Sequence, residues 1–217
     1  MKTQTSQKCA AMTLFEVLLV IVILAVLFAI LLPAMIPAPR YSNRISCVNQ
    51  LKEISLGYRI WEQDNRDLYP MAVSVTNGGA MEWAAAGDVA AVFQVMSNEL
   101  STPKILICPQ DVMHAPAANF ATGFSAKNIS YFASVNASEA NPQMMLLGDD
   151  NFEIGGIPVE SELLQISTNT PIAWSAARHV HTGNVALTYG SVQQLTTAGL
   201  QQAFRNAGTA TNRIAIP

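Results

Sequence analysis

Hydrophobic and polar positions along the chain fall into three regimes. From Val17 to Ile36 nearly every residue is apolar, "VLLVIVILAVLFAILLPAMI", and one acid, Glu16, stands at its head. The rhythm then becomes helical: Cys47, Leu51, Ile54, Tyr58 and Trp61 recur every three or four residues, with Ile45 and Val48 widening the stripe. Arg44, Asn49, Lys52, Arg59 and Glu62 take the opposite face, which predicts an amphipathic helix over about residues 40–65. A second helix is predicted over 88–99, capped by Asp88, with Val89, Val92, Phe93, Met96 and Leu100 buried.

Beyond residue 100 the pattern turns to short apolar runs between turn residues. "KILIC" (104–108), "SYFAS" (130–134), "QMMLLGD" (143–149) and "PIAW" (171–174) read as strands. "NVALTYGSVQQL" reads as a hairpin, with Val185, Leu187 and Tyr189 on one face and Gly190 near the turn. A last helix is expected after Thr196 or Thr197, burying Leu200, Ala203, Phe204 and Ala207. The tail "NAGTATNRIAIP" has no period and is expected to fray. The fold class is therefore α+β, a long N-terminal helix followed by a short antiparallel sheet.

The first apolar run is membrane-sized, since about 20 residues at 1.5 Å each span the ~30 Å of a bilayer core. It is too long for the core of a cleaved secretory signal. Lys2 and Lys8 precede it and no acid occurs before Glu16. The positive-inside rule then places the N-terminus in the cytoplasm and the rest of the chain outside. Pro33, Pro37 and Pro39 are expected to interrupt the helix, Pro33 by kinking it.

A short basic leader, a small residue and then "MTLFEVLLVIVILAVL" resemble the N-terminus of a type IV prepilin or type II secretion pseudopilin. The resemblance implies a prepilin leader at 1–11, a transmembrane and assembly helix at 12–39, and an exported pilin-like globular domain at 40–217. It implies that prepilin peptidase cuts between Ala11 and Met12 and that Met12 is then N-methylated, although the family usually has Gly before the cut and Phe after it. Glu16 becomes the fifth mature residue, placed to pair with a neighbouring subunit's new ammonium during assembly. The implied partners are that peptidase, an inner-membrane assembly platform, and copies of itself or other pilins. The implied location is single-pass in the inner membrane with a periplasmic C-terminal domain, then a pilus or pseudopilus. "SCVNQLKEISLGYRIWEQDNRDLYP" and "ICPQD" also resemble a pseudopilin-like family of environmental bacteria; that family's late His-x9-Asp-Gly is matched here by His179 and Gly190, with Tyr189 in place of the Asp.

Composition narrows the chemistry. The chain has 217 residues, 12% of them charged, and a net charge of −3, so no basic patch suggests nucleic acid. No nucleophile elbow or phosphate loop is present, and no catalytic role is expected. Of three cysteines, cleavage would remove Cys9; Cys47, on the apolar stripe, and Cys108 then remain on the exported side as a disulfide or as two buried thiols. No resident metal is expected: His179 and His181 share a face on a strand, but a third ligand is lacking. Asp149, Asp150 and Asn151, with Glu153, are the one weak calcium candidate, against a solvated turn as the plainer alternative; some pseudopilins hold calcium in a loop. The competing function is an uncleaved, membrane-anchored periplasmic binding module.

Overall fold

The computed structural model describes residues 13–34, 39–160 and 163–217. It divides into two units, Met1–Pro39 and Arg40–Pro217. The first contains α1 (Leu14–Ala34), whose segment Leu14–Leu31 has mean hydropathy 3.3 and none of it buried. One helix among the described residues is thus long and apolar enough to cross a membrane. Pro33 lies in the last turn of α1, and the residues that would report a kink, 35–38, are outside the described set.

The second unit is α+β. Helix α2 (Pro39–Asp64) buries Cys47, Leu51, Ile54, Tyr58 and Trp61, the stripe that the 3–4 spacing predicts. Its margins differ from expectation: Ile45 is exposed, whereas Glu62 is buried. The second predicted helix is interrupted. After α3 (Met81–Ala85), the segment α4 (Val89–Val95) stops at Met96 and α5 (Ser97–Leu100) follows. Asp88 caps α4 by accepting from the Ala91 N–H at 3.0 Å.

Nine strands form two antiparallel sheets among the described residues. They are β1 (Tyr131–Ser134), β2 (Met145–Asp149), β3 (Phe152–Ile154), β4 (Ile157–Pro158), β5 (Leu163–Ser167), β6 (Ile172–Trp174), β7 (Thr182–Leu187), β8 (Val192–Thr196) and β9 (Thr211–Ala215). The larger sheet runs β5-β9-β1-β2-β7-β8 and the smaller β4-β3-β6. The final helix, α6 (Thr197–Asn206), is capped by Thr196 and packs on β6 and β8.

Side chains alternate across the large sheet, as period-two geometry requires. Tyr131, Ala133, Ala186 and Ala215 face the core shared with α2 and α4, while Phe132, Val185, Leu187 and Ile214 face a second core with Phe152, Trp174, Leu200 and Phe204. A register shift in β2 lets Leu146 and Leu147 both enter the first core. Because both faces are covered, the central strands read as unbroken apolar runs.

Three expectations are corrected here. "KILIC" is not a strand: Pro103–Leu106 form a 3-10 turn, started by Pro103 and by Thr102, which accepts from the Lys104 N–H. The tail does not fray; β9 sits between β5 and β1, and backbone pairing with both holds it despite its polar Asn212 and Arg213. Tyr189 is not on the buried hairpin face but in the β7–β8 turn, 43% exposed, where Gly190 adopts φ +93°.

Gly183 of β7 lies against the buried face of Trp174, and a Cβ there would meet three ring atoms at 2.5–2.6 Å. Backbone and indole are both fixed, so Gly183→Ala is expected to lower unfolding free energy by about 1–3 kcal/mol, the usual range for overpacking. Urea denaturation checks this; a loss under about 0.5 kcal/mol, the scatter of neutral surface changes, would contradict it.

Candidate functional site

The entrance to α1 is a reciprocal capping box. Glu16 Oε2 accepts from the Thr13 N–H at 2.8 Å and from the Thr13 hydroxyl at 3.0 Å, and Thr13 Oγ1 accepts from the Glu16 N–H at 3.3 Å. The first turn of an apolar helix has orphan N–H groups with no apolar remedy, and a Thr-x-x-Glu pattern answers them locally. Glu16 therefore has a structural role within its own chain. Ala11 and Met12, the expected processing positions, lie outside the described residues.

In the second unit, a polar cluster is buried where three loops meet. Arg178 donates to the Ser130 carbonyl at 2.9 Å, lies 3.1 Å from Asp111 Oδ2, and forms an ion pair with Asp150. Asp111 Oδ2 also accepts from the Ser130 hydroxyl at 2.7 Å and contacts His114 Nδ1 at 2.7 Å, while Oδ1 accepts from the Met113 N–H. Burial alone would raise the Asp111 carboxyl; the His114 bond, the Arg178 guanidinium and the Ser130 and Met113 bonds outweigh it and hold it well below the usual range. A groove of about 670 Å³ opens over this cluster, walled by apolar groups such as Val112, Phe152 and Val159.

The weak calcium candidates are deployed in neither of the two ways weighed for them. Asp149, Asp150 and Asn151 are all buried, so the solvated-turn alternative fails, because β2 runs straight into the inner cluster. Asp150 turns to Arg178, and Asn151 Nδ2 donates to the Ser175 and Arg178 carbonyls. Asp149 turns the other way, its Oδ2 accepting from the Asn184 N–H at 2.6 Å and Nδ2–H at 2.9 Å. Three side chains with separate partners do not make a shared oxygen cage.

His179 and His181 also depart from the strand geometry expected of them. His179, Val180 and His181 have φ of 52°, 51° and 55°, three left-handed residues in succession with no glycine. Each costs on the order of 1–2 kcal/mol. Arg44 Nη2 at 2.7 Å and the Thr182 hydroxyl at 2.6 Å, both donating to the His179 carbonyl, hold the turn, and His181 Nδ1 contacts the Trp174 carbonyl at 3.1 Å. The turn buries His179 and exposes His181. His179 Nε2 lies 3.4 Å from each of Asp149 Oδ2, Cys108 Sγ and Asn184 Nδ2. Burial lowers His179 and raises Asp149, favouring the neutral form of both.

Cys47 and Cys108 are joined as a disulfide with Cα atoms 5.2 Å apart. No strand ending at Cys108 is involved; the bridge ties α2 to the loop after the 3-10 turn. The involvement of Arg178 and Asp111 was not anticipated from sequence, although "ICPQD" and "ARHVH" contain both. The comparisons with known proteins give no match to a protein-family model, a curated protein or a solved structure.

Two outcomes follow. Asp111→Asn is expected to lower stability at pH 7 by about 1–3 kcal/mol, since it leaves a buried guanidinium half answered. A carboxyl depressed in the folded state contributes stability above its unfolded pKa, near 3.8, and that contribution fades as pH falls below it. The gap between wild type and Asp111→Asn should therefore narrow below about pH 4, and denaturant melts at pH 7 and pH 3 with an unchanged gap would refute the assignment. Reduction of the bridge, which closes a loop of sequence separation 61, should cost about 2–4 kcal/mol. Guanidinium midpoints with and without reductant measure it, and coincident midpoints would contradict it.

Proposed function

We propose that this chain is a prepilin-like structural subunit, cut between Ala11 and Met12 and built through α1 into a type IV pilus or type II secretion pseudopilus. The observation that carries this reading is the placement of Glu16: one acid, at the mouth of an apolar helix of membrane length, five residues beyond a small-residue site. Capping alone needs an acceptor there and not a charge, and charge drawn into a bilayer core is disfavoured by about 2.5–3.5 kcal/mol or more, so a carboxylate in place of a neutral acceptor is what the subunit reading explains. A new α-ammonium at Met12, one helical turn away in sequence, supplies the cation in a neighbouring subunit. A pilin-like architecture, one long helix leading into an antiparallel sheet domain, is compatible with the α+β structure. On this reading the chain is not an enzyme, its partners are the prepilin peptidase, an assembly platform and other pilins, and it passes through the inner membrane with its second unit periplasmic.

The groove over Asp111, Asp150 and Arg178 favours a second reading, an uncleaved, anchored periplasmic binding module. Mass spectrometry of the mature N-terminus separates the two. An N-methylated Met12 supports the subunit reading, and an intact leader in cells with active prepilin peptidase refutes it.

The capping box permits a finer test. Glu16→Gln keeps an acceptor for the Thr13 N–H but removes the charge. It should leave membrane insertion unchanged while filament incorporation beside wild-type subunits falls at least about tenfold, as expected when one partner of a desolvated ion pair is lost. Equal incorporation, by immunoblot of sheared filaments, would leave Glu16 with capping alone.

A further inference from the structure

Among the described residues, the sulfurs of Cys47 and Cys108 and a ring nitrogen of His179 lie within 4.8 Å of one another, and all three residues are buried. They come from α2, from the loop after the 3-10 turn and from the left-handed turn before β7. Two soft thiolates and one imidazole are the donor set that thiophilic d10 cations select, as opposed to the oxygen cages of calcium or magnesium. Placement is specific: His179 Nε2 sits 3.4 Å from Cys108 Sγ, and it is brought there by a turn that a relaxed backbone would not adopt. An ion with Zn–S bonds of about 2.3 Å spreads two sulfurs to about 3.8 Å, so opening the bridge around it needs only a small movement within that envelope.

We propose that Cys47, Cys108 and His179 form a zinc site when the disulfide is open, so that the bridge and the metal are alternative ties between α2 and the loop. Opening takes two electrons and two protons from an external dithiol, which leaves as its own disulfide. The two thiols release their protons as Zn²⁺ binds, and neutral His179 donates its Nε2 lone pair with the ring proton on Nδ1. Closing reverses this: the ion leaves, the thiolates pass two electrons to a disulfide-type oxidant, and a sulfur–sulfur bond forms. Asp149 Oδ2, 3.4 Å from the same nitrogen, is held by the Asn184 N–H and Nδ2–H, so the fourth position is left to an exchangeable ligand. The site needs nothing from the pilin reading and stands or falls apart from it.

Co²⁺ is the spectroscopic probe, used on the full chain in detergent micelles with Cys9→Ala as the common background, so that Cys47 and Cys108 are its two cysteines. The protein is reduced with a phosphine, desalted anaerobically and titrated, with far-UV circular dichroism recorded at each step. The reduced background chain should take up one Co²⁺ per chain with sulfur-to-cobalt charge-transfer absorption, and Zn²⁺ should displace it. The oxidised protein and Cys108→Ser should lack that absorption. His179→Gln keeps both thiols and should bind at least about tenfold more weakly, since even groups that only orient a ligand are worth 10–100-fold. No stoichiometric uptake by the reduced chain overturns the proposal, as does equal uptake by the oxidised chain or undiminished affinity in His179→Gln. If reduction unfolds the protein, Co²⁺ must restore the circular dichroism of the folded state; failure to do so overturns it equally.

Discussion

A guanidinium shut away from water constrains the second unit more than any other single group. Arg178 is 8% exposed, and its desolvation has to be answered on more than one side. Asp150 follows β2, Asp111 lies in the loop after the 3-10 turn, and the Ser130 carbonyl immediately precedes β1. Each acid is itself buried against Arg178, so no member can withdraw without stranding a charge. The triad thereby fixes where three segments meet. Between residues 107 and 130 there is no regular element except one short 3-10 turn, a stretch whose length would ordinarily suggest mobility. It is held instead at discrete points: the Cys108 bridge, Asp111, the Asn128 amide on the Ala115 carbonyl, and the Gln94 amide on the Phe120 carbonyl.

The loop that contributes Arg178 also contributes His179, and α2 reaches that loop with Arg44. One helix thus serves two kinds of order. Its apolar face fills the core through Leu51, Ile54 and Tyr58, while Arg44, on the His179 carbonyl, fixes backbone that has no ladder of its own, and Gln50 accepts from the Tyr131 hydroxyl of β1 at 2.8 Å. The left-handed turn at 179–181 persists because these contacts over-determine it, the usual condition for strain to survive in a folded protein. Its effect is to put an imidazole against a disulfide in a dry interior.

Much of the fold was legible in the residues, for identifiable reasons. The α2 stripe was readable because five residues keep the helical period without interruption. The β7–β8 hairpin was readable because Gly190 marks its turn. Strand β9 was not, since "TNRIA" owes its state to neighbours on both sides, and Asn212 satisfies its burial by donating to the Phe204 carbonyl, a partner eight residues back. Strands β3 and β5 and helix α3 were missed because each is only three to five residues long, and β5 has its partner, β9, far along the chain. The site was harder still. Asp149, Asp150 and Asn151 look alike in sequence, and only the alternation of β2 sends one acid toward Asn184 and the next toward Arg178. No local pattern announces a buried ion triad whose members are 39 residues apart from first acid to second, Asp111 to Asp150.

Glu16 presents the opposite case, a residue with two sufficient explanations. The capping box alone accounts for an acceptor at the third position of α1. The two roles nevertheless use different properties of the carboxylate. Capping needs an acceptor, and both Thr13 donors fall on Oε2. A carboxylate has about four acceptor sites, so two donors do not exhaust it. Nor do neutral N–H and O–H donors remove its charge; they spread it. In a low-dielectric surround the residual charge still favours a nearby cation, and the cap fixes the orientation from which the carboxylate would receive it. On the proposed reading, the intrachain bond therefore pre-orients the intersubunit one instead of competing with it.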